Sequence, residues 1–344
     1  MKLRFMVPAL AAAATLALAG CTAAEPEPAE SSGYDGEVTE VTAIISNPFS
    51  VVQYYGLYLL GIEQGFFAER GIDLTIQEGT GSSTSAQVIA AGNADFGLNI
   101  GLVAVVNNNE NGAGLKIVGR DSAIATYSVV SLDADISTPD DLEGMTIGLP
   151  EGTTQALLWP SFLEAAGVDP ASVSTVNVSP ATAVTTLAQG RVDGIVTYTN
   201  SAVPALAAIG EDDPTALLFS DYGINVVPDA GIVTTDALIE SDPDLVARFV
   251  AAAEESIEYA LAHPDEIYGA ASANYPDSFT EEIILGQGEI SGAALEEFNV
   301  EGEPYVFTPL DQLADTLVLL RQAGVITSDR QTSFYATNDF VPEP

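Results

Sequence analysis

Ala90-Ala-Gly-Asn-Ala-Asp-Phe-Gly97 and Leu187-Ala-Gln-Gly-Arg-Val-Asp-Gly194 carry the same punctuation twice, a helix closed by glycine and a strand announced by aspartate. In the first, a helical run closes at Gly92, where a left-handed residue is required, and Gly71 ends the preceding helical segment in the same way. Asp95 then stands before a short apolar strand, where a carboxylate can bond nearby backbone amides. Asp193 holds the same place before the strand at 194–198, behind a helix at 181–189. Working outward, residues 38–46 alternate as a strand and end in the Asn47-Pro48 turn signal. A helix over 54–67, a strand over 72–77, a helix opened by 79–85, and strands at 94–98 and 115–119 follow. Strands at 127–132, 145–149 and 173–178, a helical turn at 138–144 and a helix at 155–166 make a second such unit. A strand at 231–235 and helices at 244–263 and 311–323 complete the chain. Strand alternating with helix predicts α/β lobes with largely parallel sheets. No repeat of fixed period is visible.

The chain has 344 residues and is 47% hydrophobic, which at roughly 150 residues per domain predicts two lobes with a sizeable core. Its 49 acidic residues against 9 basic ones exclude DNA or RNA as partners, because phosphate contacts need Lys and Arg. They argue equally against an anionic lipid surface and read as a solvated exterior. After Lys2, Lys116 is the only lysine; His263 is the only histidine and Trp159 the only tryptophan.

Residues 1–21 read as a signal peptide. A positive start is followed by an apolar run too short for an ordinary membrane span, ending in Leu18-Ala-Gly-Cys21, which resembles a bacterial lipobox. Cys21, the only cysteine, is the expected lipid acceptor. Residues 22–37, rich in Pro, Glu and Ser, read as a disordered tether.

The order of motifs in the body resembles one family. Gly56-Leu-Tyr58, Glu63-Gln-Gly-Phe-Phe67, Gly71-Ile-Asp-Leu74, the two stretches quoted first, Asp141-Leu-Glu-Gly-Met-Thr-Ile-Gly148 and the late 243–249 and 263–266 segments are similar to the nitrate/sulfonate/taurine/thiamine-precursor (pyrimidine synthase-like) cluster of ABC-importer solute-binding proteins. Met145 stands where the family pattern usually has lysine. The resemblance implies a type II periplasmic-binding-protein fold: two α/β lobes joined by two hinge crossings, near 125–130 and 230–234. Residues 38–125 plus 231–344 would form lobe one and 126–230 lobe two. It further implies a monomer outside the cytoplasm, held by lipid on Cys21, that serves a cognate permease with its ATPase.

Ligands in such folds sit at strand carboxyl ends. Lobe one would offer Asn47, Phe49, Tyr54, Tyr55, Ser82, Ser83, Thr84 and Asn99. Lobe two would offer Tyr127, Gly152, Thr153, Thr154, Tyr198 and Asn200, with Glu151-Gly-Thr-Thr154 placed as the mirror of the 82–84 segment. The hydroxyl residues at 82–84 either cap their helix or bond a ligand's polar edge. Only Arg120 supplies a cation near this set. Several aromatics and few cations favour a planar, weakly charged ligand such as a thiamine-precursor pyrimidine over a sulfonate, taurine or nitrate. Nucleophile–base pairs, zinc spacing and a phosphate loop are absent from the sequence, so no enzyme, cofactor or metal is expected. Hinge closure around the solute is the expected mechanism.

Overall fold

The structure is a computed structural model that describes residues 36–46, 54–132, 136–150, 153–211, 213–274 and 280–344, with Tyr54, Tyr55 and Asn274 described in their backbone alone. The signal peptide, Cys21, nearly all of the tether, Asn47, Phe49 and Gly152 lie outside the described residues.

The first unit runs β1 (Thr39–Ile45), α1 (Tyr54–Gln64), β2 (Ile72–Gln77), α2 (Ser82–Ala90), β3 (Phe96–Gly101), α3 (Leu102–Glu110) and β4 (Leu115–Ser122). The second runs β5 (Tyr127–Ser131), β6 (Thr146–Leu149), α4 (Thr154–Ala166), β7 (Ser174–Asn177), α5 (Ala183–Ala188), β8 (Gly194–Tyr198), α6 (Thr199–Ala207) and β9 (Thr215–Leu218). The chain then returns through β10 (Ala230–Thr235), α7 (Asp236–Ser241), α8 (Pro243–Ala262), α9 (Pro264–Asn274), α10 (Glu281–Glu297) and α11 (Leu310–Gln322).

Two five-stranded sheets result, in the orders β2-β1-β3-β10-β4 and β7-β6-β8-β5-β9. β1 is parallel to β2 and β3, and β6 to β7 and β8. The strand that arrives from the other lobe, β10 or β5, lies antiparallel to both of its neighbours. Each lobe is closed by the same device. Asp95 Oδ2 accepts from the Thr42 amide at 2.8 Å while the Asp95 amide donates back to Thr42 at 2.7 Å. Asp193 Oδ2 and the Thr146 amide do likewise at 2.7 Å, with the return bond at 2.9 Å. A carboxylate one residue before the strand thus locks the register of the strand beside it.

The lobes connect through residues 123–126 and 219–229. The Ala125 amide donates to Val226 O at 3.0 Å, so the two crossings are bonded to each other. The second crossing was expected at 230–234, but those residues are already β10. Only a residue without Cβ fits where β10 wedges between β3 and β4: a Cβ on Gly231 would stand 2.6 Å from Gly119 O.

Phe96 and Phe249 stack at 3.9 Å in lobe one, and Phe162 and Phe219 at 4.2 Å beside Trp159 in lobe two. One apolar cluster continues across the crossings, from Ile44, Ile100 and Leu102 to Tyr127, Leu158 and Phe219. α10 adds a further link. Ser291 accepts from Asn200 Nδ2 of α6 at 2.9 Å, and a Cβ on Gly286 would sit 3.0 Å from Pro204. Among the described residues no helix is long and apolar enough to cross a membrane.

Candidate functional site

The polar groups that converge on the crossings come from strand ends and helix starts, as the topology requires. From lobe one come Ser82 at the first turn of α2, Asn99 near the end of β3, and two carboxylates, Asp121 at the end of β4 and Asp229 just before β10. From lobe two come Tyr127, Tyr198, Thr154 and Asn200. Several of these keep part of their surface while the groups behind them are fully buried, the profile of a cleft wall.

Asn99 is the one described non-glycine residue with positive φ, at 54°, a conformation Asn tolerates better than most. Its backbone amide donates to Asp121 Oδ2 at 2.7 Å, its side-chain Nδ2 donates to Oδ1 at 3.4 Å, and its side-chain Oδ1 accepts from Ser46 Oγ at 3.4 Å. Strain of this sort persists where surrounding bonds over-determine it. The Tyr58 hydroxyl donates to Asp121 at 2.9 Å. Even so, burial pushes the Asp121 carboxyl up to about 6.

Asp229 is supported more thinly. Ser122 Oγ donates to it at 3.5 Å, and the Tyr198 hydroxyl lies nearby. Burial, and then repulsion from Asp121, pushes Asp229 up to about 7. Tyr198 and Tyr127 pack edge to face at 4.8 Å with their hydroxyls 3.3 Å apart, and Thr154 bonds Tyr127 in turn. Burial, followed by the negative charge of Asp229, raises both phenols, so both remain protonated donors. Tyr198 thus donates to Tyr127, and the Asp229 carboxylate lies close enough to oppose ionisation of both phenols. Thr126 donates to Asn200 Oδ1 at 3.0 Å, which ties the first crossing to α6.

Of the sequence-predicted set, Ser82, Asn99, Tyr127, Thr154, Tyr198 and Asn200 are joined in this way or adjoin it. Ser82 Oγ accepts from the Gly101 amide at 3.1 Å. Ser83 and Thr84 are exposed, and Thr84 spends its hydroxyl on Gly81 O at 2.8 Å. Thr153 caps α4, accepting from the Ala156 amide at 3.4 Å. Tyr54 and Tyr55 open α1, and no more of them is described.

Two corrections follow. The 153–154 segment lies between β6 and α4, whose counterpart in lobe one is the β1–α1 loop; the counterpart of Ser82 is the 179–183 segment after β7. The Asp95 and Asp193 braces fix that correspondence, because each ties the third parallel strand of its lobe to the first. Arg120 is also not a cleft cation. Strand alternation turns it away from Asp121, into bonds with Tyr305 O at 2.9 Å, Phe298 O at 3.0 Å and Asn299 Oδ1 at 3.0 Å. Its burial lowers it only to about 10, so it remains charged there.

Sequence reasoning missed Asp121 and Asp229. Asp229 follows Pro228 in a stretch without periodicity, and Asp121 follows Arg120 beyond the apolar part of its strand. A carboxylate near the carboxyl end of a buried strand was the available signal. Among the described residues no group of acidic, His or Cys side chains could hold a metal.

Residues 36–267 match the family model described as NMT1/THI5 like. The chain belongs to the NMT1/THI5-like family. Among curated relatives it is similar to the formylaminopyrimidine-binding protein of Halalkalibacterium halodurans, 25% identical over 71% of this chain and 73% of that protein. It is also similar to the taurine-binding periplasmic protein of Escherichia coli, 22% identical over 80% and 86%. In fold, this NMT1/THI5-like chain is similar to the periplasmic aliphatic sulphonate-binding protein SsuA of Escherichia coli, with a TM-score of 0.66 over 86% and 96% at 14% identity. The type II two-lobe fold expected from the motif order is therefore the fold of this chain.

Proposed function

We propose that this protein is the extracytoplasmic solute-binding component of an ABC importer, that it closes its lobes around a small planar, weakly charged molecule, and that it hands that molecule to a cognate permease. One observation carries the ligand class: every described cation is engaged or points elsewhere. Arg70 pairs with Glu255 at 2.7 Å, Lys116 with Asp236 at 3.6 Å and Arg248 with Asp244 at 2.8 Å. Arg321 bonds Leu317 O, Arg330 lies over Phe334, and His263 stacks on Tyr259. Arg191 lies at the amino end of β8, away from the site, and Arg120 is buried as described. A cleft built of two tyrosines, hydroxyls and two carboxylates disfavours an anion and suits an aromatic ring bearing donors.

Similarity to a formylaminopyrimidine-binding relative supports this reading, and similarity to a taurine-binding relative supports the runner-up, a sulfonate. Curated relatives that are binding proteins, and a single histidine used at a helix end, support binding rather than catalysis. A thermal-shift panel of aminopyrimidines, thiamine, riboflavin, taurine, alkanesulfonates and nitrate decides between them, since a ligand of the native state raises the midpoint with saturation. Aminopyrimidines are expected to raise it. A panel in which only sulfonates or nitrate act would overturn the heterocycle reading.

The lipid anchor on Cys21 belongs to the same proposal, supported by the lipobox-like Leu18-Ala-Gly-Cys21 and the absence of any other cysteine. Cys21→Ser is expected to move the protein from the membrane fraction to the soluble one; unchanged retention would rule the anchor out.

A further inference from the structure

We infer that Asp229 is the group that discriminates among solutes, and that it accepts a paired donor edge, an exocyclic amino group beside a ring N–H. This deepens the heterocycle reading above and rests on it.

Two neighbouring carboxylates differ in how many of their acceptor sites are used. A carboxylate can accept about four hydrogen bonds. Asp121 is fully enclosed and receives three, from the Tyr58 hydroxyl at 2.9 Å and from Asn99 at 2.7 and 3.4 Å. Its role is internal: it holds Asn99 in its left-handed conformation. Asp229 is partly open, and its side chain accepts one long hydrogen bond, from Ser122 Oγ at 3.5 Å, with the Tyr198 hydroxyl nearby. Acceptor capacity is left over where no described cation comes near. Desolvating such a group without a partner is costly, and closure of the lobes would desolvate it further. A solute that brings two adjacent donors removes that cost.

The position of Asp229 suits the task. It lies on the second crossing with its backbone fixed, since its carbonyl accepts from the Leu102 amide at 2.9 Å. Its side chain lies beside the Tyr198–Tyr127 hydroxyl pair of lobe two. The group that reads the solute is thus tied by backbone to α3 of lobe one and lies by side chain against lobe two. Asp121, Tyr127 and Tyr198 are the titratable groups around it. With both carboxylates raised by burial, Asp229 and a weakly basic ring nitrogen can share one proton near neutral pH, while the amino group donates to the second oxygen.

The test is a calorimetric titration of wild type and Asp229→Asn with three probes: 4-amino-2,5-dimethylpyrimidine, its 4-methyl analogue and its 4-oxo analogue. Hydrogen bonds to a charged partner support an expected loss of about tenfold or more both for Asp229→Asn with the amino probe and for the 4-methyl probe on wild type. The two losses should not add, because they remove one contact. Asp229→Asn should bind the 4-oxo probe better than wild type does, since an amide can donate to a carbonyl. Equal binding of the amino and 4-methyl probes by wild type would overturn the assignment without any variant, as would additive losses. If none of the three probes binds wild type, this inference and the heterocycle reading fall together. If the amino probe binds and Asp229→Asn does not alter it, only the inference falls.

Discussion

The two lobes are built to one plan and furnished differently. Both place their first strand between the second and third, both insert one antiparallel strand from the opposite lobe, and both brace strands one and three with an aspartate. Yet lobe one brings the carboxylates Asp121 and Asp229 to the cleft and lobe two brings the phenols Tyr127 and Tyr198. Lobe one is also backed by α8, of which ten residues are buried, whereas all four residues of β7, at the edge of lobe two, are exposed. Shared backbone topology therefore says little about shared chemistry: scaffold and recognition sit on different residues of equivalent elements.

The most severe way to break this comparison is to empty one core. Phe249→Ala removes the ring stacked on Phe96 at 3.9 Å and is expected to cost about 3–5 kcal/mol. Trp159, the only tryptophan, lies in lobe two, so its fluorescence follows that lobe alone. Because the apolar cluster runs across the crossings, the fluorescence midpoint should fall together with that of far-UV circular dichroism. A fluorescence transition that stays in place would mean that the lobes unfold independently.

A smaller effect sharpens the equivalence itself. Asp95→Ala and Asp193→Ala each remove a charged acceptor from a strand amide and should each cost about 1.5–3 kcal/mol by denaturant titration. Asp95 should cost more, since it is partly buried while Asp193 is exposed. Equal losses would show that burial around the brace is immaterial.

The smallest effect separates the lobes by their charges. Asp121 and Asp229 are raised by burial to about 6 and about 7. Between their unfolded values near 4 and those folded values, the native state holds protons that the unfolded chain has lost. The unliganded protein should therefore lose stability as pH rises from about 4 to about 7, with no further change from this pair above that. Asp229→Asn should flatten the upper part of the slope. Solvent reaching the partly open Asp229 screens the effect and keeps it modest. A wild-type profile that is flat over this window would mean that neither carboxylate is held protonated.

Much of the fold was legible because glycine and aspartate punctuate it. Gly92 closes a helix, Asp95 announces a strand, and most strands were placed to within a few residues. Other elements escaped for physical reasons. α3 ends in Asn107-Asn-Asn109, residues of poor helix propensity. α6 contains Pro204, and α10 contains three glycines, of which Gly286 and Gly292 admit neighbouring helices closely. Their helicity comes from tertiary packing, which periodicity does not record. The site was legible where hydroxyls and aromatics sit at strand ends, and illegible where it depends on a carboxylate on the crossing, since which way that carboxylate points is decided by two sheets meeting.

The placement of every described cation away from the cleft also has a kinetic consequence. With a formal charge of −40, the whole body presents a negative potential to anything diffusing toward it. A cationic solute is drawn in, and an anion is slowed before it touches a single residue. Over a Debye length of about 8 Å at physiological ionic strength, selection begins in the solvent around the mouth. Adding salt should then lower the association rate for a cationic solute and leave its dissociation rate nearly unchanged.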